Sequence, residues 1–144
     1  MTRRIYPVEK LGDINLQEYY LKANDWLDDL AYLEDELRFF RKIMKLHFSD
    51  TAEATAVQTE QVERQVAKLE LNKEMIRAQV INHREVLDLL IKNLITQEEE
   101  FILKEHRDMG LKIMGLNQAF KMFKTDFFHK TENLMGNKKA SEQQ

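Results

Sequence analysis

Apolar residues recur along most of this chain at alternating steps of three and four, the spacing of side chains on one face of a long helix. The first series is Leu16, Tyr19, Ala23, Trp26, Leu30, Leu33, Leu37, Phe40, Met44 and His47. The second is Ala52, Thr55, Thr59, Val62, Val66, Leu69, Lys73, Ile76, Val80, His83, Leu87, Leu90 and Leu94. The third is Ile102, His106, Met109, Ile113, Leu116, Phe120, Phe123, Phe127, Lys130 and Leu134. Each series is a heptad seam and predicts a helix buried along that seam.

The three seams do not join into one, because the register slips by one residue at each junction. Continued forward, the first seam predicts an apolar residue at 51, and the second predicts one at 101. A side chain able to cap a helix, followed three positions later by glutamate, lies at or near the start of each seam: Asn15 and Glu18, Asp50 and Glu53, Thr96 and Glu99. The capping side chain accepts from a free backbone N–H while the glutamate reaches back, so these pairs predict three helix starts.

The predicted elements are helix A at 15–48, helix B at 50–95 and helix C at 96–135, between an N-terminal arm at 1–14 and a flexible tail at 136–144 that begins at Gly136. Short turns force antiparallel neighbours. The sequence therefore predicts an all-α protein of one domain, an antiparallel up-down-up bundle of three long helices. Neither glycine nor proline marks the turn between B and C, so a continuous helix through Thr96 is an open alternative.

Composition agrees with long helices and narrows the function classes. Of 144 residues, 33% are charged and 43% hydrophobic, with four glycines and one proline. The absence of cysteine excludes disulfides, thiolate metal sites and a cysteine nucleophile. With a net charge of −3 and no long apolar run, we expect a cytoplasmic protein without nucleic-acid or membrane partners. A less favoured alternative is a protein that binds nucleic acid or a membrane surface through the compact basic cluster Arg38, Arg41, Lys42 and Lys45.

Histidines occupy seam positions that the pattern would give to leucine. A turn near 95–96 places His83 and His106 within about one helical turn of each other, whereas His47 lies roughly 50 Å away. One interpretation is a polar seam layer, in which the imidazoles bond to each other, to Asn82 or Glu99, or to water, and which fixes register. The other is a metal or proton site, and the candidate additional ligands are Glu18, Glu85, Glu99 and Glu105.

Known catalytic and metal-binding patterns are absent from the sequence. The Glu-x-x-His motif of di-iron bundles is missing, because Val80 and Leu103 stand three residues before the two histidines. No phosphate-binding glycine loop or nucleophile elbow occurs, and the glycines within helix C are better explained by close helix approach. We therefore expect no enzyme activity and no cofactor.

Apolar residues outside the seams widen the apolar face of helix C beyond what two neighbouring helices can bury. The predicted interaction surface combines the off-seam Met122 and Phe128 with the seam residues Phe120, Phe123 and Phe127. We expect it to bind another copy of the chain or another helical protein. The sequence thus favours a non-enzymatic, self-associating interaction or scaffolding module, with metal or small-ligand binding by His83 and His106 as the alternative.

Overall fold

The computed structural model describes residues 15–48 and 53–142, which form three helices and no strand. Helix α1 spans Leu16–Phe48, α2 spans Glu53–Ile91 and α3 spans Glu99–Glu142. This confirms the predicted all-α bundle of three long helices. The predicted turn at 49–51 and the cap at Asp50 lie outside the described residues.

Contacts between neighbouring helices establish the up-down-up course of the chain. Arg84 of α2 donates to the side-chain oxygen Oδ1 of Asn24 in α1 at 3.0 Å, while Arg41, farther along α1, pairs with Glu70, earlier in α2. The partners run in opposite order, so α1 and α2 are antiparallel.

Helix α3 reverses direction again and runs parallel to α1. Lys112 of α3 donates to Gln79 of α2 at 2.8 Å, and His106 of α3 contacts the later residue His83 of α2. Across α1 and α3, Lys124 donates to Glu36 at 3.3 Å, which places the basic second half of α3 beside the acidic part of α1.

The three seams form the core, as their spacing predicts. Buried seam residues include Leu37 of α1, Val80 of α2 and Phe127 of α3. Leu94 is an exception, because it is 66% exposed in the connection after α2. The side chains of the predicted seam residues His47, Ala52, Thr55 and Leu134 lie outside the described part.

The first predicted helix start is confirmed. The Asn15 side-chain oxygen accepts from the Glu18 backbone N–H at 3.1 Å, and the Asn15 carbonyl accepts from the Tyr19 N–H at 3.1 Å. Asn15 therefore satisfies a donor that the helix itself leaves unpaired and sets the position at which α1 begins.

Helix α2 ends at Ile91, four residues before the predicted boundary, and the alternative of a continuous helix is wrong. Asn93 adopts a left-handed backbone with φ of 58°, a conformation that asparagine tolerates better than most residues. The N–H groups of Asn93 and Leu94 then donate to the carbonyls of Leu90 and Leu89 at 3.1 and 2.9 Å. These two bonds form a Schellman cap, so an asparagine ends the helix where no glycine is present.

Helix α3 begins at Glu99 instead of at the predicted position 96. The Glu98 carbonyl accepts the first helical bond, from the Ile102 N–H at 3.2 Å. The carboxylates of Glu99 and Glu100 lie in the first turn, where they interact favourably with the helix dipole. Thr96 consequently belongs to the connection at 92–98.

The predicted helix end at Gly136 is also wrong, since α3 continues to Glu142. A glycine inside a helix costs about 1 kcal/mol relative to alanine, which is too little to end a helix. No proline follows Gly136, and lysine, alanine and glutamate, which favour helices, come after it.

Candidate functional site

The buried core has two parts, and a polar layer lies between them. The larger part contains Ala23, Val80 and Met109 and extends towards the distant ends of α1 and α3. The smaller part, near the α2–α3 connection, consists of Leu16, Leu87, Leu90 and Ile102. His83 and His106 occupy the intervening seam positions, and His83 is only 3% exposed. The site is therefore internal and shared by α2 and α3.

The two imidazoles bond directly to each other. His83 Nε2 lies 2.9 Å from His106 Nδ1, which confirms the predicted proximity of the two residues. One ring must donate its proton and the other must accept it, so the bond requires that at least one imidazole be neutral. The contact supports the interpretation of a polar seam layer.

Aromatic rings of α1 pack against His106. Tyr19 stacks on the imidazole with ring centroids 3.8 Å apart and planes 2° from parallel, and Trp26 lies at 4.7 Å. An added methyl group at Gly110 would lie 3.4 Å from Trp26, so this glycine does mark a close approach, whereas Gly115 has nothing within 4 Å. The expectation that close helix approach explains both glycines is wrong for Gly115.

The seam pattern does not predict this aromatic enclosure. The available signal was that Tyr19 and Trp26 occupy α1 seam positions on either side of the level of His106. Seam counting gives such heights along a bundle but not the orientation of the rings.

Burial makes the uncharged form of both histidines more favourable. Burial lowers the pKa of His106 to about 4, with smaller contributions in the same direction from His83 and Lys22. Burial also lowers the pKa of His83, partly opposed by the carboxylate of Glu105. Near neutral pH both rings are therefore neutral, and the hydrogen bond between them is intact.

Metal binding by His83 and His106 stays a prediction. Among residues 15–48 and 53–142, no group of three or more histidine, aspartate or glutamate side chains is arranged to hold a metal ion. The four glutamates considered as additional ligands therefore do not complete a site around the pair. A metal ion would also have to displace the hydrogen bond that occupies both facing nitrogens.

A second polar seam position lies farther along α2. Lys73 is 3% exposed, and its ammonium group lies 3.2 Å from Glu74 and 3.7 Å from Glu34 of α1. The lysine stem fills a core position while its charge remains paired. Like the histidines, Lys73 is a polar residue at a seam position that apolar residues usually occupy.

The predicted interaction surface on α3 is mostly inside the bundle. Phe120, Phe123 and Phe127 are buried, where their rings surround Phe40 of α1. Of the predicted surface, only Met122 and Phe128 are accessible in the single chain, with 73% and 49% exposure. These large buried rings fill the space between α1 and α3 themselves. Whether Met122 and Phe128 bind a partner stays a prediction.

A different apolar row is exposed on α1. Tyr32, Phe39 and Leu46 are separated by seven positions each and are 67%, 57% and 78% exposed. Glu36 and the half-buried Ile43 lie between them, so the five residues form a second heptad series beside the buried one. We call Tyr32, Glu36, Phe39, Ile43 and Leu46 the outer seam. This row is not among the three predicted seams, although its seven-residue spacing is visible in the sequence.

The outer seam borders an open groove between α1 and α3. These two helices approach each other less closely than either approaches α2, because aromatic side chains separate them. One cavity of about 570 Å³ in this groove is lined by Trp26, Gly110 and Met114 among others. An adjoining cavity of about 420 Å³ is lined by Tyr32 and Phe120 among others. The groove is therefore elongated and follows the helix axes.

The basic cluster on α1 is partly neutralised by acidic neighbours. Arg41 pairs with Glu70 of α2, and Arg38 lies 3.4 Å from Glu34 and 3.8 Å from Asp35. Separately, no helix in the described part of the chain combines the length and the apolarity needed to cross a bilayer.

Comparison with known proteins finds no family model, no curated protein and no solved structure that matches this chain.

Proposed function

We propose that this chain is a non-enzymatic interaction or scaffolding module that binds a helical partner along the outer seam of α1. The observation that carries the proposal is the seven-residue spacing of the exposed Tyr32, Phe39 and Leu46. Isolated apolar residues are normal on a protein surface. A heptad row of them is the pattern by which one helix packs against another.

The adjoining groove gives such a partner a place to lie. A helix docked between α1 and α3 would cover the exposed apolar residues of the outer seam on one side and the exposed Phe128 on the other. Recognition of a helix in an apolar groove uses side chains at heptad spacing as anchors. Docking would convert the three-helix bundle locally into a bundle of four helices.

The test compares native complexes of the full chain carrying different surface substitutions. A tagged chain is isolated from the cells that make it, and the masses of its complexes are measured before and after crosslinking. We expect the wild-type chain to be found in a complex and the Phe39→Ser, Leu46→Ser variant to be released from it. The matched control is Leu71→Ser, Met75→Ser on α2, where the two side chains are 63% and 56% exposed. Equal loss in both variants, or retention in both, would contradict the proposal.

Binding of a metal ion or small ligand by His83 and His106 is the second candidate. It is favoured by one observation, the convergence of two imidazole nitrogens at 2.9 Å. Elemental analysis of the purified full chain tests it, with a His83→Leu, His106→Leu variant as the matched control. Metal present in the wild-type chain and absent from the variant would support metal binding by the pair, and equal metal content would exclude it.

A further inference from the structure

The groove between α1 and α3 begins near the point where residues 1–14 join α1. Lys22 is the first α1 residue that lines it, about 10 Å along the helix axis from Asn15. A cavity between α1 and α2 begins only at Arg41, about 40 Å from Asn15. Of these cavities, the one in the α1–α3 groove is therefore nearer to residues 1–14.

The near end of this groove combines an apolar lining with two positive charges. Trp26 belongs to the apolar lining, and Lys22 of α1 and Arg107 of α3 line the same cavity. Both cations are exposed, and neither forms an ion pair with another described residue. Farther along, Asp29 and Lys121 line the cavity with opposite charges. The near end therefore suits a segment that is both apolar and acidic.

Residues 1–14 lie outside the described part of the structure, but their sequence alternates in character. Apolar and acidic residues occupy the odd positions from 5 to 13: Ile5, Pro7, Glu9, Leu11 and Asp13. The basic residues Arg4 and Lys10 occupy even positions, with Tyr6 and Val8 between them. Pro7 disfavours a helix, and successive side chains of an extended segment point to opposite sides. An extended segment with this sequence has one side that is apolar and acidic.

We propose that residues 5–13 fold back along the α1–α3 groove as an extended segment, with their apolar and acidic side against it. Six residue steps separate Glu9 from Asn15 and span about 20 Å when extended, about twice the distance from Asn15 to Lys22. The excess leaves enough chain for the reversal of direction that the contact requires. Glu9 then lies level with Lys22 and Arg107, and Ile5 lies over the apolar lining beyond them.

The contact is autoinhibitory, because the groove that residues 5–13 cover is the one assigned to the helical partner. This consequence rests on the proposed function and deepens it by naming how the groove is regulated. A tethered segment has an effective concentration on the order of millimolar, so a partner has to displace it. Phe39 lies about 36 Å along α1 from Asn15, beyond the reach of residues 5–13, so the partner gains its first contacts there.

Cross-linking within the full chain tests the contact, because the natural chain contains no cysteine. One variant carries Ile5→Cys and Met114→Cys, and the matched control carries Ile5→Cys and Gln79→Cys. Lys112 donates to Gln79 at 2.8 Å, so position 79 lies at nearly the height of position 114, but in the α2–α3 groove. With a short bismaleimide in dilute solution, we expect the first pair to link within one chain at least about tenfold faster.

Equal rates for the two pairs, or a faster control, would overturn the contact. Linked dimers in place of linked monomers would also overturn it, since the groove would then hold a segment of a second copy. Positions 79 and 114 are exposed, so helicity and thermal unfolding of both variants should match those of the wild-type chain.

Two further substitutions in the Ile5→Cys, Met114→Cys chain test which side of the segment faces the groove. Glu9→Lys places a third cation beside Lys22 and Arg107, so the rate of linking should fall several-fold, and less at high salt. Lys10→Glu is the control, because its side chain points away from the groove, and the rate should not fall. A rate unchanged by Glu9→Lys, or lowered equally by both substitutions, would overturn the proposed arrangement.

The regulatory consequence is measured on native complexes of the full chain. Ile5→Ser, Leu11→Ser should increase the fraction of the chain found with a partner, whereas Val8→Ser, on the opposite side of the segment, should not. An unchanged fraction would overturn the autoinhibition. The proposed function fails separately, if native complexes ignore Phe39→Ser, Leu46→Ser while the cross-linking rates of the two cysteine pairs still differ.

Discussion

Two layers of the same core, one aromatic and one built on histidine, show how differently equivalent seam positions can be used. In the aromatic layer, the Phe40 ring lies 6.0, 5.4 and 4.9 Å from the rings of Phe120, Phe123 and Phe127, all edge to face. In the histidine layer, His83 and His106 share one hydrogen bond of 2.9 Å beneath the ring of Tyr19. Both layers are buried by the same heptad geometry, but different physical terms stabilise them.

The two layers differ in whether they mainly stabilise the fold or select the register of the helices. Edge-to-face rings gain stability from buried area and dispersion, and they tolerate small displacements along the helix axis. A single hydrogen bond between two imidazoles has one satisfactory geometry, so a slip of register would leave both groups buried without a partner. We infer that the aromatic layer supplies most of the stability and that the histidine layer selects the register.

Removal of a central ring should have the largest effect. Phe40→Ala deletes the ring that contacts three buried phenylalanines, and the free energy of unfolding should fall by about 3–5 kcal/mol in urea titrations. Phe101→Ala is the matched control, because Phe101 is 48% exposed and its removal should cost less than about 1 kcal/mol. Equal costs for the two substitutions would mean that the aromatic layer is not the main source of stability.

Acid should act on the histidine layer with an intermediate effect. The pKa of His106 is about 4 in the folded chain, against 6.5 for the ordinary histidine side chain, and the pKa of His83 is also lowered. Between these values the unfolded chain takes up protons that the folded chain does not. The histidine contribution to stability is therefore present above pH 6.5 and is lost as the pH falls towards 4. The loss should be on the order of 2 kcal/mol.

The matched variant for this prediction is His83→Leu, His106→Leu, which replaces the bonded pair with apolar side chains. Carboxylates titrate in both proteins, so the difference between the two stability profiles isolates the histidines. The variant should lose this part of the pH dependence and should unfold at a higher temperature near pH 5 than the wild-type chain. Profiles that stay parallel from neutral pH to about pH 4 would contradict the assignment.

The sequence predicts burial in both layers because heptad spacing depends only on helix geometry. It also predicts that His83 and His106 meet, since both lie at similar distances from the turn. It places Phe120, Phe123 and Phe127 on the buried seam and also in the predicted interaction surface, and only the structure shows that they are buried. That outcome depends on the distance between α1 and α3, and the rings themselves set this distance. The stacking of Tyr19 on His106 was likewise not predictable, because side-chain rotation does not follow from residue spacing.

The end of α2 shows a second limit of prediction from pattern. An apolar residue at the seam spacing predicted a helix through Leu94, but the backbone conformation of Asn93 ends it earlier. Asparagine enters the left-handed region more easily than most residues, yet it does so at few of its occurrences. The sequence therefore allows a cap at Asn93 without predicting it, and the hydrogen bonds to the Leu90 and Leu89 carbonyls establish it.

The smallest predicted effect concerns this cap, and it tests what sets the register of the histidine layer. Asn93→Ala and Asn93→Gly both remove the amide side chain, but only alanine is strained at φ of 58°. The alanine variant should therefore be less stable than the glycine variant by about 1 kcal/mol in urea titrations at neutral pH. If the hydrogen bond between His83 and His106 sets the register, both variants should keep the acid sensitivity of the wild-type chain. A loss of that sensitivity in the alanine variant alone would show that the turn, rather than the buried pair, positions α3 against α2.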